Sequence, residues 1–155
     1  MSKIVIIVLS ILFAILVYLV LRHSASPTRV VKINIKSTEF SLEVAETISQ
    51  KTKGLMNRET LCPQCGMVFI SSFAYPQIFW MKNTLIPLDM IFIDSQGKVV
   101  NIATATPEPP STPDSKLKLY QSSSPAQYVI EVSAGQSQKL GLIPGDTIDL
   151  SPLQP

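Results

Sequence analysis

The chain has 155 residues, 46% of them hydrophobic, a formal net charge of +2 and no basic run. That balance excludes the electrostatic footprint of a nucleic-acid-binding protein. Two cysteines and one histidine, His23, leave a structural zinc site short of ligands.

Residues 4–21 read "IVIIVLSILFAILVYLVL", with Ser10 as the only clearly polar side chain. At 1.5 Å per residue a helix of this length crosses the ~30 Å hydrocarbon core of a bilayer. No amphipathic stripe marks it as a core helix. A cleaved signal would carry a shorter apolar region and a small-x-small site, but "RHSASP" places His23 where a small residue belongs. No cysteine lies near its end for lipid attachment. The reading is an uncleaved single-pass anchor over 1–22, a linker over 23–29 and one β-rich domain over 30–155. Orientation stays open at this point: Arg22, Arg29 and Lys32 against Lys3 lean towards a cytoplasmic domain, yet long domains translocate largely regardless of such a bias.

Along the domain, "VVKINIKSTEFSLEVAET" alternates apolar and polar residues on both sides of "KSTE" and predicts a hairpin, with Val31, Ile33 and Ile35 on one face of the first run and Phe40, Leu42 and Val44 forming the apolar positions of the second. Thr47 is a plausible N-cap for a short helix in "ISQKTKGLM", weakened by Gly54. "GMVFISSF" and "QIFWMKN" read as the next two strands. "LDMIFIDSQGKVVNIATAT" is a second hairpin turning at "DSQG". The proline-dense "PEPPSTPDSKLK" is an extended surface loop. "AQYVIEVSAG" is a strand, "QSQKLGL" a short helix, and "IPGDTIDLSP" a turn with a closing strand. Seven to eight short strands with two short helices predict a mostly β domain, an antiparallel barrel-like or strongly curled sheet.

Five segments carry a family resemblance: "GLMNR" (54–58), "GMVF" (66–69), "FWMKNTLIPLDMIFID" (79–94), "YVIEVSAG" (128–135) and "GLIPGD" (141–146). In this order and over essentially the whole domain, the chain resembles the domain of unknown function 192 family. "FWMKNT" followed by "PLD" is the specific part of that signature. The resemblance implies a compact β-rich domain, commonly exported or membrane-tethered in prokaryotes, and carries no reaction or cofactor with it.

"LCPQCGM", with Cys62 and Cys65, departs from the commonest family form. Zinc lacks two ligands, and a redox dithiol would place its first cysteine at a helix N-terminus. A structural pair, disulfide-bonded in an oxidising compartment, is the preferred reading. Met56, Met67, Met81 and Met90 all lie in family motifs; thioethers suit Cu(I), but methionine is also a flexible core filler, and the filler role is preferred. In the polar bridge, strand alternation puts Trp80, Lys82 and Thr84 on one face, with Asp89 expected near Lys82 or Arg58. The candidate ligand-binding set is therefore Trp80, Lys82, Asn83, Thr84, Asp89 and Arg58, against the plainer reading that these residues hold a turn. No catalytic residue, metal ligand or cofactor is assigned. The resemblance and the cysteines tip the domain to the extracytoplasmic side. The function expected is a non-catalytic binding or accessory module of the cell envelope, with the membrane and an unidentified small-molecule or envelope ligand as partners and no nucleic acid. The alternatives are a hydrolase or transferase using Lys82 and Asp89, and a copper(I) or thiol–disulfide factor.

Overall fold

Alternation and a two-residue turn set the first hairpin. In the computed structural model, which describes residues 9–13, 15 and 29–154, Val30–Ile35 (β1) and Thr38–Ala45 (β2) pair antiparallel. Lys36 makes the turn at φ 55°. Thr47 then starts Ile48–Lys53 (α1). Its hydroxyl accepts from the Gln50 N–H at 3.2 Å, and the Gln50 side-chain oxygen accepts from the Thr47 N–H at 3.0 Å, a reciprocal cap that satisfies two otherwise free donors. Gly54 ends the helix at φ 46°.

The remaining elements are Cys65–Tyr75 (β3), Ile78–Trp80 (β4), Leu88–Ile93 (β5), Val99–Ala105 (β6), Leu119–Gln121 (β7), Ala126–Ser133 (β8) and Gln136–Lys139 (α2), with short 3-10 turns at Asp114–Lys116 and Ser151–Leu153. Six strands form one sheet in the order β1-β2-β3-β8-β5-β6, and β4 and β7 form a separate two-stranded sheet.

Over the described residues 29–154, eight strands and two short helices form, but the expected barrel-like closure does not. β1 and β6 are the two edges of an open sheet. The sheet is mixed rather than antiparallel, because α1 returns the chain so that β3 runs parallel to β2, from Ser41↔Cys65 to Ala45↔Phe69. The closing strand expected in "IPGDTIDLSP" is reduced to one bridge, Lys98↔Thr147. Leu150, at ψ 11°, and the 3-10 turn over Ser151–Leu153 cut the extended run short there. The anchor read over 1–22 and the linker over 23–29 fall largely outside the described residues. Residues 9–13 and 15 are helical, and among the described residues no helix is long and apolar enough to cross a membrane.

Both faces of the sheet are covered, which is why all six residues of β5 are buried. One face carries Leu42, Val68, Ile130 and Ile91 under Leu142, Ile148 and Leu153 from the C-terminal segment. The other carries Met67, Phe69, Val129, Met90 and Phe92 beneath Leu55, Met81 and Tyr120. Gly66 sits where strands and side chains close in: an added Cβ would press on the Glu131 backbone oxygen and lie 2.8 Å from Leu42 Cδ2. Gly66→Ala is expected to cost about 1–3 kcal/mol by overpacking, read as a lower denaturation midpoint at unchanged slope.

Cys62 and Cys65 are joined by a disulfide at the start of β3, and the Ser41 N–H bonds Gln64 O in the same loop at 2.8 Å. So small a ring constrains little of the unfolded chain. Replacing both cysteines by serine is expected to cost at most about 2 kcal/mol in urea unfolding.

Candidate functional site

β8 lies between β3 and β5, and its register sets Glu131 opposite Met67 on one side and Met90 on the other. Strand alternation sends Ile130 and Val132 to one face and Val129 and Glu131 to the second. A carboxyl thus stands in the middle of an apolar surface, 4% exposed. Among the described residues no hydrogen bond or ion pair reaches it, and burial pushes its pKa from 4.5 to about 8. At neutral pH the group is mostly a neutral acid, able both to donate and to accept a hydrogen bond.

The covering layer does not seal over this acid. A cleft of about 270 Å³ opens above it, just under the roughly 300 Å³ at which drug-sized ligand sites begin. One wall is the end of α1 and the turn after it, with Lys51, Lys53, Gly54 and Met56. The floor is Phe69, Ser71 and Glu131, and the opposite wall is Gln77, Phe79, Trp80 and Thr84. Gly54 lets the first wall approach: a Cβ there would lie 3.3 Å from Phe69 Cζ. Phe69 and Phe79 meet edge to face at 4.9 Å, a preferred ring geometry. Gln77 Nε2 donates to Ser71 Oγ at 2.9 Å and to Ala126 O at 3.1 Å, which leaves the Ser71 hydroxyl proton free for a further acceptor. Trp80 stands at the mouth, 42% exposed.

Of the residues singled out from the sequence, Trp80 and Thr84 meet in this cleft; the Thr84 hydroxyl donates to Lys82 O at 3.3 Å. Lys82 Nζ lies 5.9 Å from the Trp80 ring centroid but pairs with Asp114 at 2.5 Å. Asn83 holds a left-handed turn at φ 52°, and its carbonyl accepts from the Asn57 N–H at 2.8 Å. Arg58 forms a two-pronged pair with Glu43 at 2.5 and 2.7 Å. Asp89, 1% exposed, accepts from Thr104 Oγ1 at 2.8 Å and from the Ser137 N–H at 2.9 Å. The expected pairing of Asp89 with Lys82 or Arg58 is therefore not formed. The register, Asp89 beside Val132, puts it on the opposite face of the sheet from Glu131.

Met67, Met81 and Met90 are closed inside the apolar layer, and of the four motif methionines only Met56 lines the cleft. No group of three or more His, Cys, Asp or Glu that could hold a metal occurs among the described residues. Sequence reasoning missed Glu131, Ser71 and Gln77. The available signal was the acid in "YVIEVSAG", placed between Ile130 and Val132 in an otherwise apolar strand.

The DUF192 family model, described as an uncharacterized ACR, matches residues 29–150. The fold is similar to the crystal structure of a proposed transcription regulator from Sinorhizobium meliloti 1021, at 32% identity and TM-score 0.70, over 81% of this chain and 97% of that one. It is also similar to a protein of unknown function from Novosphingobium aromaticivorans DSM 12444, at 30% identity and TM-score 0.66, over 81% of this chain and 94% of that one. No curated protein matches the chain significantly.

Proposed function

This chain belongs to the domain of unknown function 192 family, and we propose that it is a non-catalytic binding domain whose small ligand enters the Glu131 cleft. The observation that carries this reading is the unpartnered acid at the floor of an open cleft. The carboxyl faces the cleft, and a ligand oxygen would supply the partner that the protein does not. A carbonyl, hydroxyl or carboxylate can take the proton of the neutral acid. The ligand's apolar body would lie against Phe69, Phe79 and Trp80. An ammonium group fits less well, because it would have to ionise Glu131 and pass Lys51 and Lys53.

Catalysis finds less support. Attack by a nucleophile needs a base beside it. Ser71 shares the floor with Glu131, but burial keeps that carboxyl protonated at neutral pH, and among the described residues no other acid lines the cleft. Lys82 and Asp89, the pair a hydrolase or transferase would use, are each engaged elsewhere. The closed methionine layer favours core filler over a copper site. The regulator description of the Sinorhizobium relative is not carried over, since a net charge of +2 without a basic run offers little to a phosphate backbone. With residues 1–22 as anchor, the domain would act as an accessory module on the extracytoplasmic side of the membrane. The Cys62–Cys65 disulfide supports an oxidising compartment.

Trp80 is the only tryptophan in the chain, so its fluorescence reads the mouth of the cleft directly. Titration with benzamide, benzoate and benzylamine should give saturable changes for the first two, in the millimolar range expected of so few atoms. Glu131→Leu should abolish them. If none of the three gives a saturable change, or if benzylamine alone does, the reading fails.

A further inference from the structure

Around the mouth of this cleft the protein leaves six large apolar side chains in solvent. Tyr75, Ile78 and Trp80 line one rim and are 43%, 58% and 42% exposed. Leu119 stands opposite Trp80 across the β4–β7 ladder, and the Phe73 ring lies 5.7 Å from that of Tyr75. On the other rim Ile48, 85% exposed, shares a helical face with Lys51 and Thr52, which line the cleft. Exposed apolar surface gathered at one place marks an interaction surface.

The charge on this rim is positive and uncompensated. Lys51 and Lys53 make no ion pair among the described residues, while Glu46, Glu43 and Asp114 on adjoining elements are held by Arg29, Arg58 and Lys82. Aromatic rings beside unpaired lysines are the composition of a surface that lies in lipid headgroups.

The path of the chain points the same way. β1 starts, and β2 and β3 end, at one end of the sheet. There Arg29 bonds Glu46 at 2.7 Å, two residues before Ile48. Residues 22–28 separate this point from the apolar run at 4–21 and reach at most roughly 25 Å when fully extended. A domain of this size is on the order of 35 Å across. The rim, and not the end carrying α2 and the Cys62–Cys65 loop, is the part such a tether holds near a bilayer.

We infer that this rim rests on an anionic membrane surface, with Ile48, Tyr75, Ile78 and Trp80 at headgroup level and Lys51 and Lys53 on lipid phosphates, so that the cleft opens towards the lipid. The inference stands on the anchor reading of residues 1–22 and makes the source of the ligand the membrane itself. Each lysine contributes about fivefold to the association at low salt, and salt weakens it.

The test uses the full chain in vesicles containing phosphatidylglycerol and lipids brominated high on the acyl chain. Trp80 emission should be quenched, and the quenching should fall in high salt and in the double variant Ile48→Glu, Leu119→Glu. A chain that survives an alkaline carbonate wash while Trp80 stays unquenched and open to acrylamide overturns the proposal. Acrylamide protection that depends on protein concentration without bromine quenching overturns it too, and assigns the rim to a second copy. Loss of the chain in the wash removes the tether and the proposal with it. Benzamide titration in the same vesicles reads the cleft separately, so failure here with a saturable response there leaves the binding domain standing.

Discussion

Glu131→Gln is expected to stabilise the domain at alkaline pH and to leave it nearly unchanged below pH 5. The folded protein holds the Glu131 proton up to about pH 8, whereas the unfolded chain releases it near 4.5. Between those values the folded state binds more protons than the unfolded state, so rising pH favours unfolding. The loss starts as pH passes the unfolded value and is complete above the folded one. At about 1.4 kcal/mol per pH unit, the gap amounts to a penalty on the order of 5 kcal/mol above pH 8. Glutamine has nearly the same shape, stays neutral throughout and escapes that penalty. Urea unfolding of both proteins from pH 5 to 9 should therefore give curves that diverge with pH, the variant rising above the native chain. Parallel curves would mean that the carboxyl is solvated or paired, and the candidate site would lose its central group.

Local determinants made much of the fold legible in the sequence. The β1–β2 and β5–β6 hairpins follow from alternation and a turn whose residues accept the required backbone, and the Thr47 cap needs only Gln50 three positions on. The parallel β2–β3 pairing and the insertion of β8 between β3 and β5 are choices among distant partners, and nothing local encodes them. β7 passed unnoticed because three residues beside a proline-rich stretch carry no period. The site divides in the same way. Trp80 and Thr84 announced themselves as residues out of place beside an apolar strand. Lys82 and Arg58 misled: Lys82 lies near Asp89 in sequence but meets Asp114 in space, and Arg58 is held by Glu43 on β2. Glu131 was hidden because one acid in a strand normally faces water. Only a sheet with neighbours on both sides and a covering layer above turns it inward.

Asp89→Ala is expected to lower stability by about 1–3 kcal/mol, chiefly the cost of leaving the buried Ser137 N–H without its acceptor, since Thr104 is exposed and its hydroxyl can turn to water. The Thr104 hydroxyl and the Ser137 N–H both point at its carboxylate, so the side chain ties β5 to β6 and to the start of α2 at once. Asp89→Asn offers an amide that can accept from one donor and must face the other with its own N–H, and should fall between alanine and the native chain. The same variants separate architecture from binding. Asp89 lies across the sheet from the cleft, so the Trp80 response to benzamide should keep its midpoint in every molecule that remains folded. A large stability loss with an unchanged midpoint assigns Asp89 to the scaffold. A shifted midpoint at preserved stability would instead draw Asp89 into the ligand's surroundings and break the separation between the two faces on which the Glu131 site depends.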